Sequence, residues 1–165
     1  KFTGNNADAV YFEAPIRGDR AYRIAGNLAG AAYTSFTIEA GAEEGRYATR
    51  TCGVINDTEL DVDADGTYEL VLGGEPRARN WLALEPDAGR ITTRHYFEWP
   101  QPAAPMQALH IPLTIENLTP PTEPPGRWTD ADAAAAIRRV VNHDIPALMC
   151  DLDDEIKLSN RYEHG

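Results

Sequence analysis

Apolar and polar residues alternate through most of this chain, the pattern of β-strands that bury one face. The longest run is residues 90–99. There Ile91, Thr93, His95, Phe97 and Trp99 fall on one face, and Arg90, Thr92, Arg94, Tyr96 and Glu98 on the other. Residues 33–40 alternate in the same way, with Thr34, Phe36 and Ile38 opposed to Ser35, Thr37 and Glu39. In residues 67–72, Tyr68, Leu70 and Leu72 alternate with Thr67, Glu69 and Val71. The preceding Asp63-Ala64-Asp65-Gly66 predicts a hairpin turn, because Asp-Gly reaches positive φ at little cost. Shorter strands are expected at residues 10–13, 21–27, 60–62, 81–84 and 109–116. Pro15, Gly26-Asn27 and Gly73-Gly74 mark reversals between them. About eight short strands without interleaved helices predict an antiparallel β-sandwich or barrel rather than a parallel α/β sheet.

The texture changes at Pro120-Pro121-Thr122-Glu123-Pro124-Pro125-Gly126, which cannot continue a ladder and predicts an extended connector. One helix is expected after it. Thr129 suits the N-cap, Asp130 and Asp132 the first turn, and Ala133, Ala134, Ala135 and Ala136 the interior. Ile137, Val140 and Val141 give an apolar stripe, and Pro146 limits the helix. The domain expectation is therefore a β-sandwich over 1–119, a connector over 120–128, a helix packing on the sandwich over 129–145, and an unassigned tail over 146–165.

Charge narrows the partners. The chain has 26 Asp plus Glu against 15 Lys plus Arg, a net charge of -11. Nucleic acids and anionic membrane surfaces call for basic faces, so neither is an expected partner. No run approaches the ~18 apolar residues of a membrane span. The first residues lack an initiator Met and a signal-peptide core, so the chain is expected to be a fragment of a longer, cytoplasmic protein. Its missing N-terminal segment is then a natural partner. Cys52 and Cys150 are the only cysteines; no zinc spacing occurs, and free thiols are expected.

Several blocks resemble a known bacterial family. They include Ala7-Asp8-Ala9-Val10-Tyr11, Ala14-Pro15-Ile16-Arg17, Tyr22-Arg23-Ile24 and the run from Gly30 to Glu39. Asn56-Asp57-Thr58, Gly73-Gly74, Arg79-Asn80-Trp81-Leu82 and Thr92-Thr93-Arg94-His95-Tyr96-Phe97 continue the match. The family is domain of unknown function 1214, and the similarity covers roughly residues 1–117. The resemblance implies a jelly-roll-like domain on the C-terminal side of a longer protein, after a mostly helical segment. It implies no reaction. The fold expectation is thus mainly β: an antiparallel sandwich of jelly-roll type with one C-terminal helix.

Candidate chemistry concentrates on the 90–99 strand. His95 titrates near neutrality and is the candidate general base, but its apolar face-mates favour a hydrogen-bonded core histidine. Arg94, Tyr96 and Glu98 share the opposite face and are the candidate ligand contacts, with Arg94 forking onto an anion. The alternative there is a solvated strand face with cross-strand ion pairs. Arg23, Glu39, Arg46 and Arg50 are possible companions. Arg79 and Trp81 suit a stacking or planar contact, or a plug at the end of the sandwich. The acidic turn from Asp61 to Gly66 has the start of a calcium loop, but Leu72 stands where a bidentate Glu is needed, so no metal is expected. Ser35 lacks a nucleophile elbow, and no cofactor fingerprint occurs. Two functional readings follow. The first is a non-catalytic β domain contributing ligand or interdomain contacts. The second is an enzyme acting on a polar small molecule or carbohydrate through Arg94, His95 and Tyr96.

Overall fold

The structure is a computed structural model that describes residues 6–41, 48–103, 109–119, 129–139 and 141. Eight strands and one helix occur among them: β1 (Ala9–Pro15), β2 (Tyr22–Asn27), β3 (Tyr33–Ala40), β4 (Arg50–Asn56), β5 (Thr67–Leu72), β6 (Trp81–Leu82), β7 (Ala88–Tyr96), β8 (Leu113–Asn117) and α1 (Asp130–Arg139). The strands form two four-stranded sheets, ordered β1-β7-β3-β4 and β6-β5-β2-β8. The protein is mainly β, and the two sheets share one core.

That core follows directly from the alternation. Phe36 and Ile38 of β3 and Ile91 of β7 meet Ile24 of β2 and Leu70 and Leu72 of β5, all at most 2% exposed. Phe36 and Tyr68 bridge the sheets edge to face, with ring centroids 5.5 Å apart. A second cluster of Phe97, Ala103 and Ile111, with Trp99 against it, lies where the chain leaves β7. Phe97 is thus buried as expected, although β7 ends at Tyr96 rather than running to residue 99.

Three features depart from the expected strands. Residues 60–62 are not a strand: the Asn80 side chain takes the Asp61 N–H at 2.7 Å and donates to the Asp61 carbonyl at 2.9 Å. A single side chain there satisfies the groups that a neighbouring strand would pair. Conversely, Arg50–Asn56 is a strand that the alternation does not reveal. Gly53 interrupts its pattern, and its partner β3 shifts register between Ile38 and Glu39. A Cβ at Gly53 would stand 3.2 Å from Ile38 Cδ1, so the glycine admits the Ile38 side chain beside the backbone. Finally, β6 runs parallel to β5, with Val71 opposite Trp81. The other strand pairs are antiparallel.

The chain divides into two compact units, one of residues 6–41 and 48–122 that holds both sheets, and one that holds α1. Within α1 the expected cap is present. Thr129 Oγ1 accepts from the Asp132 N–H at 3.2 Å, while Asp132 Oδ2 accepts from the Thr129 N–H at 2.8 Å. This reciprocal box satisfies orphan donors of the first turn. The described helix spans Asp130–Arg139, and of the expected continuation to residue 145 only Val141 is among the described residues. Residues 120–128 and the tail beyond 141, with Cys150, lie outside the described residues, as does Arg46. Cys52 is a half-buried free thiol whose Sγ–H points to the Ile38 carbonyl at 3.6 Å. Among the described residues no helix is long and apolar enough to cross a membrane.

Candidate functional site

β7 is a central strand of its sheet, between β1 and β3, so its outward side chains are flanked on both sides. Arg94 pairs with Tyr11 of β1 and Ser35 of β3; Tyr96 pairs with Ala9 and Tyr33; Thr92 pairs with Glu13 and Thr37. Antiparallel register places paired side chains on one face. The outer face therefore collects Tyr11, Tyr33, Tyr96, Arg90, Arg94, Glu13 and Glu39 over a floor of small hydroxyl residues. Ser35, Thr37 and Thr92 form that floor and are buried beneath the long side chains.

The two arginines on this face have different surroundings. Arg90 is enclosed by carboxylates: its Nε and Nη2 donate to Glu39 Oε2 at 2.8 and 2.5 Å, and its Nη1 to Glu13 Oε2 at 3.2 Å. Arg94 donates from Nη1 to Thr37 Oγ1 at 2.7 Å and has no carboxylate partner among the described residues.

An open cleft of about 500 Å³ begins at Arg94 and is lined further by Tyr33, Tyr96, Phe97, Glu98, Asp8 and Asn6. Tyr96 is its central wall. Its ring meets Tyr33 at 5.7 Å and Tyr11 at 6.1 Å between centroids, both edge to face, and its hydroxyl lies 3.0 Å from that of Tyr11. Burial, reinforced by that hydrogen bond, pushes Tyr11 up to about 12, so it remains a protonated phenol. Thr92 Oγ1, beneath the same face, is buried without a hydrogen-bond partner.

The expected ligand contacts Arg94, Tyr96 and Glu98 thus line one cleft. His95 does not. It points inward, is 0% exposed, and is held between Thr34 Oγ1 at 3.4 Å from Nδ1 and Thr93 Oγ1 at 3.2 Å from Nε2. Phe12 covers it edge-on at 5.7 Å. Burial drives its pKa from 6.5 down to about 4, so it is a neutral core group near neutral pH. Ser35 is likewise buried.

Arg79 and Trp81 lie on the other sheet, away from this cleft. Arg79 forks onto Asp61, and Trp81 Nε1 donates to the Gly73 carbonyl at 2.8 Å; both fasten the loop between β5 and β6. Arg23 pairs with Glu69 and Glu116, and Arg50 with Glu85 and Asp87. Glu39 shares the face of the cleft but is engaged by Arg90. Tyr11, Tyr33 and Asp8 were not anticipated as contacts. Their signal was register: Tyr33 shares the outward phase of Ser35, Thr37 and Glu39, and only the β3–β7 pairing sets it beside Tyr96.

No cluster of His, Cys, Asp and Glu suited to a metal ion occurs among the described residues. The carboxylates of the acidic turn are engaged locally: Asp65 Oδ1 accepts from the Thr67 N–H and hydroxyl at 3.0 and 2.6 Å.

No family model and no curated protein matches the chain. Among solved structures, it is similar to an uncharacterised protein from Burkholderia cenocepacia, at 27% identity and a TM-score of 0.63 over 82% of this chain. A protein from Vibrio parahaemolyticus aligns over 67% of this chain at 14% identity and a TM-score of 0.43. The chain spans only 36% and 31% of those two proteins, about a third of their length.

Proposed function

We propose that this chain is a non-catalytic, ligand-binding β domain of a longer protein, with its site in the cleft around Arg94, Tyr96 and Glu98. The observation that carries the reading is Arg94: a half-buried guanidinium without a carboxylate partner among the described residues, at the mouth of an aromatic cleft, on a chain of net charge -11. A guanidinium so placed can receive an anionic group. The competing enzymatic reading relied on His95, and burial removes that group from the cleft. The limited share of the Burkholderia protein that the chain spans supports the longer parent, which offers surfaces to complete the cleft. The proposed class is the resembled family, domain of unknown function 1214, with a jelly-roll-type wrapping. Supporting the latter, β1, β2 and β3 alternate between the sheets, as do β7 and β8.

The test is a metabolite screen by amide chemical-shift mapping on the isotopically labelled chain. Hits are expected to move the resonances of Arg94, Tyr96 and Tyr33 together and to be lost in Arg94→Ala, whose unliganded melting temperature stays near that of the wild type. A screen whose hits all map elsewhere, or an Arg94→Ala variant that unfolds, overturns the reading.

A further inference from the structure

Resting on that reading, we infer that the cleft receives a carboxylate-bearing saccharide: a short oligosaccharide with a uronate group over Arg94 and a sugar ring against the tyrosines. Charge makes the first selection. The ionised side chains lining the cleft are Asp8, Arg94 and Glu98, one cation against two carboxylates. A phosphate or other dianion satisfies Arg94 but meets net repulsion from the other two. A ligand with a single carboxylate and otherwise neutral donors fits all three. Its carboxylate pairs with the guanidinium, and its hydroxyls donate to Asp8 and Glu98, which when ionised only accept.

Shape and surface make the second selection. Arg94 and Tyr96 are two residues apart on one face of β7, so their Cα atoms are separated by about 7 Å along the strand. That spacing sets an anion anchor beside an aromatic wall about one monosaccharide wide. Tyr33 is 38% exposed and its ring edge-packs on Tyr96, so the two together present adjoining aromatic surfaces. Aromatic rings that are apolar on the face and polar at the tip suit a pyranose, which carries C–H groups on its faces and hydroxyls around its rim. Beneath the cleft, Thr37 Oγ1 accepts from Arg94 Nη1 at 2.7 Å and fixes the guanidinium. A peptide with a free C-terminus also offers a carboxylate. Yet its backbone supplies donors and acceptors in equal number, whereas beside Arg94 the charged groups on the cleft, Asp8 and Glu98, are matched best by a ligand rich in hydroxyl donors.

The experiment is calorimetric titration of the 165-residue chain with glucuronosyl-xylobiose, which carries one uronate on two neutral sugars, its methyl ester, trialanine and inorganic phosphate, repeated on Arg94→Met and Tyr33→Ala. Tyr33 is 38% exposed at the surface of β3, so Tyr33→Ala is expected to remain folded and serves as the second variant. Glucuronosyl-xylobiose is expected to bind. Methyl esterification and Arg94→Met are each expected to weaken it about tenfold or more, the scale of one charge-assisted hydrogen-bond pair. Tyr33→Ala should weaken it several-fold. Trialanine binding in place of glucuronosyl-xylobiose, phosphate binding equally well, or glucuronosyl-xylobiose affinity indifferent to Arg94→Met each overturns the saccharide assignment. The first two outcomes leave the cleft a binding site. Only a metabolite screen without hits at Arg94 and Tyr96 removes the site itself, so the two failures are distinguishable.

Discussion

Thr34 and His95 stand directly opposite each other in the β3–β7 register, both 0% exposed, with the threonine hydroxyl 3.4 Å from the imidazole Nδ1. An imidazole shut between two hydroxyls and a phenyl edge has nothing to offset a positive charge. Its folded pKa of about 4 lies below its ordinary 6.5, so the unfolded chain takes up the proton first as pH falls. The stability due to neutral His95 is full above pH 6.5 and is lost as pH falls towards about 4. The loss is roughly 3 kcal/mol at most. Urea unfolding at pH 7 and 4.5 should show the wild type losing more stability than His95→Gln over that interval. Equal losses would mean that His95 is not the buried neutral group.

Arg90 and Arg94 share one strand face, yet their removal should have opposite weight. Arg90 and Glu39 are each less than a fifth exposed, and Glu13 completes the cluster. Arg90→Met strands two carboxylates beside each other and is expected to cost about 2 kcal/mol or more. Arg94→Met gives up one hydrogen bond to Thr37 and should cost about 1 kcal/mol or less. The urea midpoints of the two variants decide the order, and a reversal would make Arg94 the structural residue.

Phe36 is completely buried and meets Tyr68 across the two sheets. Phe36→Ala should cost about 3–5 kcal/mol, through lost burial and the cavity left behind. Denaturant unfolding with an unchanged m-value is the check.

At the turn before β5, Gly66 has φ of +86°, and an added Cβ would stand 3.1 Å from Asn27 Oδ1. Gly66→Ala combines that contact with a left-handed backbone and should cost about 1–2 kcal/mol. Because Asp63 and Asp65 already accept from Thr67, calcium should leave the melting temperature unchanged. A calcium-induced rise abolished by Asp63→Ala would show a metal site there.

The sandwich was legible in the sequence wherever a strand buries one face and exposes the other, as β3, β5 and β7 do. It was illegible where something other than a neighbouring strand satisfies the backbone, as Asn80 does for Asp61, or where a glycine breaks the alternation, as Gly53 does in β4. The site divides along the same line. Period-two alternation put Arg94, Tyr96 and Glu98 on one face and His95 on the other. Tyr11, Tyr33 and Asp8 join them through pairings between segments far apart in the chain, and no local pattern encodes that register. Arg79 and Trp81 read as binding chemistry because they suit it, but Arg79 is engaged by Asp61 and Trp81 by the Gly73 carbonyl.

The antiparallel pairing of β1 with β7 also dictates an order of events during synthesis. β1 leaves the ribosome long before its ladder partner among the described residues is translated, and β3 must likewise wait for β7 to occupy the place between them. Vectorial folding from the N-terminus is therefore closed to this sheet. Its assembly is held until the strand bearing Arg94 and Tyr96 appears, and such non-local closure is slow. Until then Phe36, fully buried in the finished domain, lacks the β7 neighbours that help to cover it, and such exposed apolar surface is the general hazard of incomplete sheets.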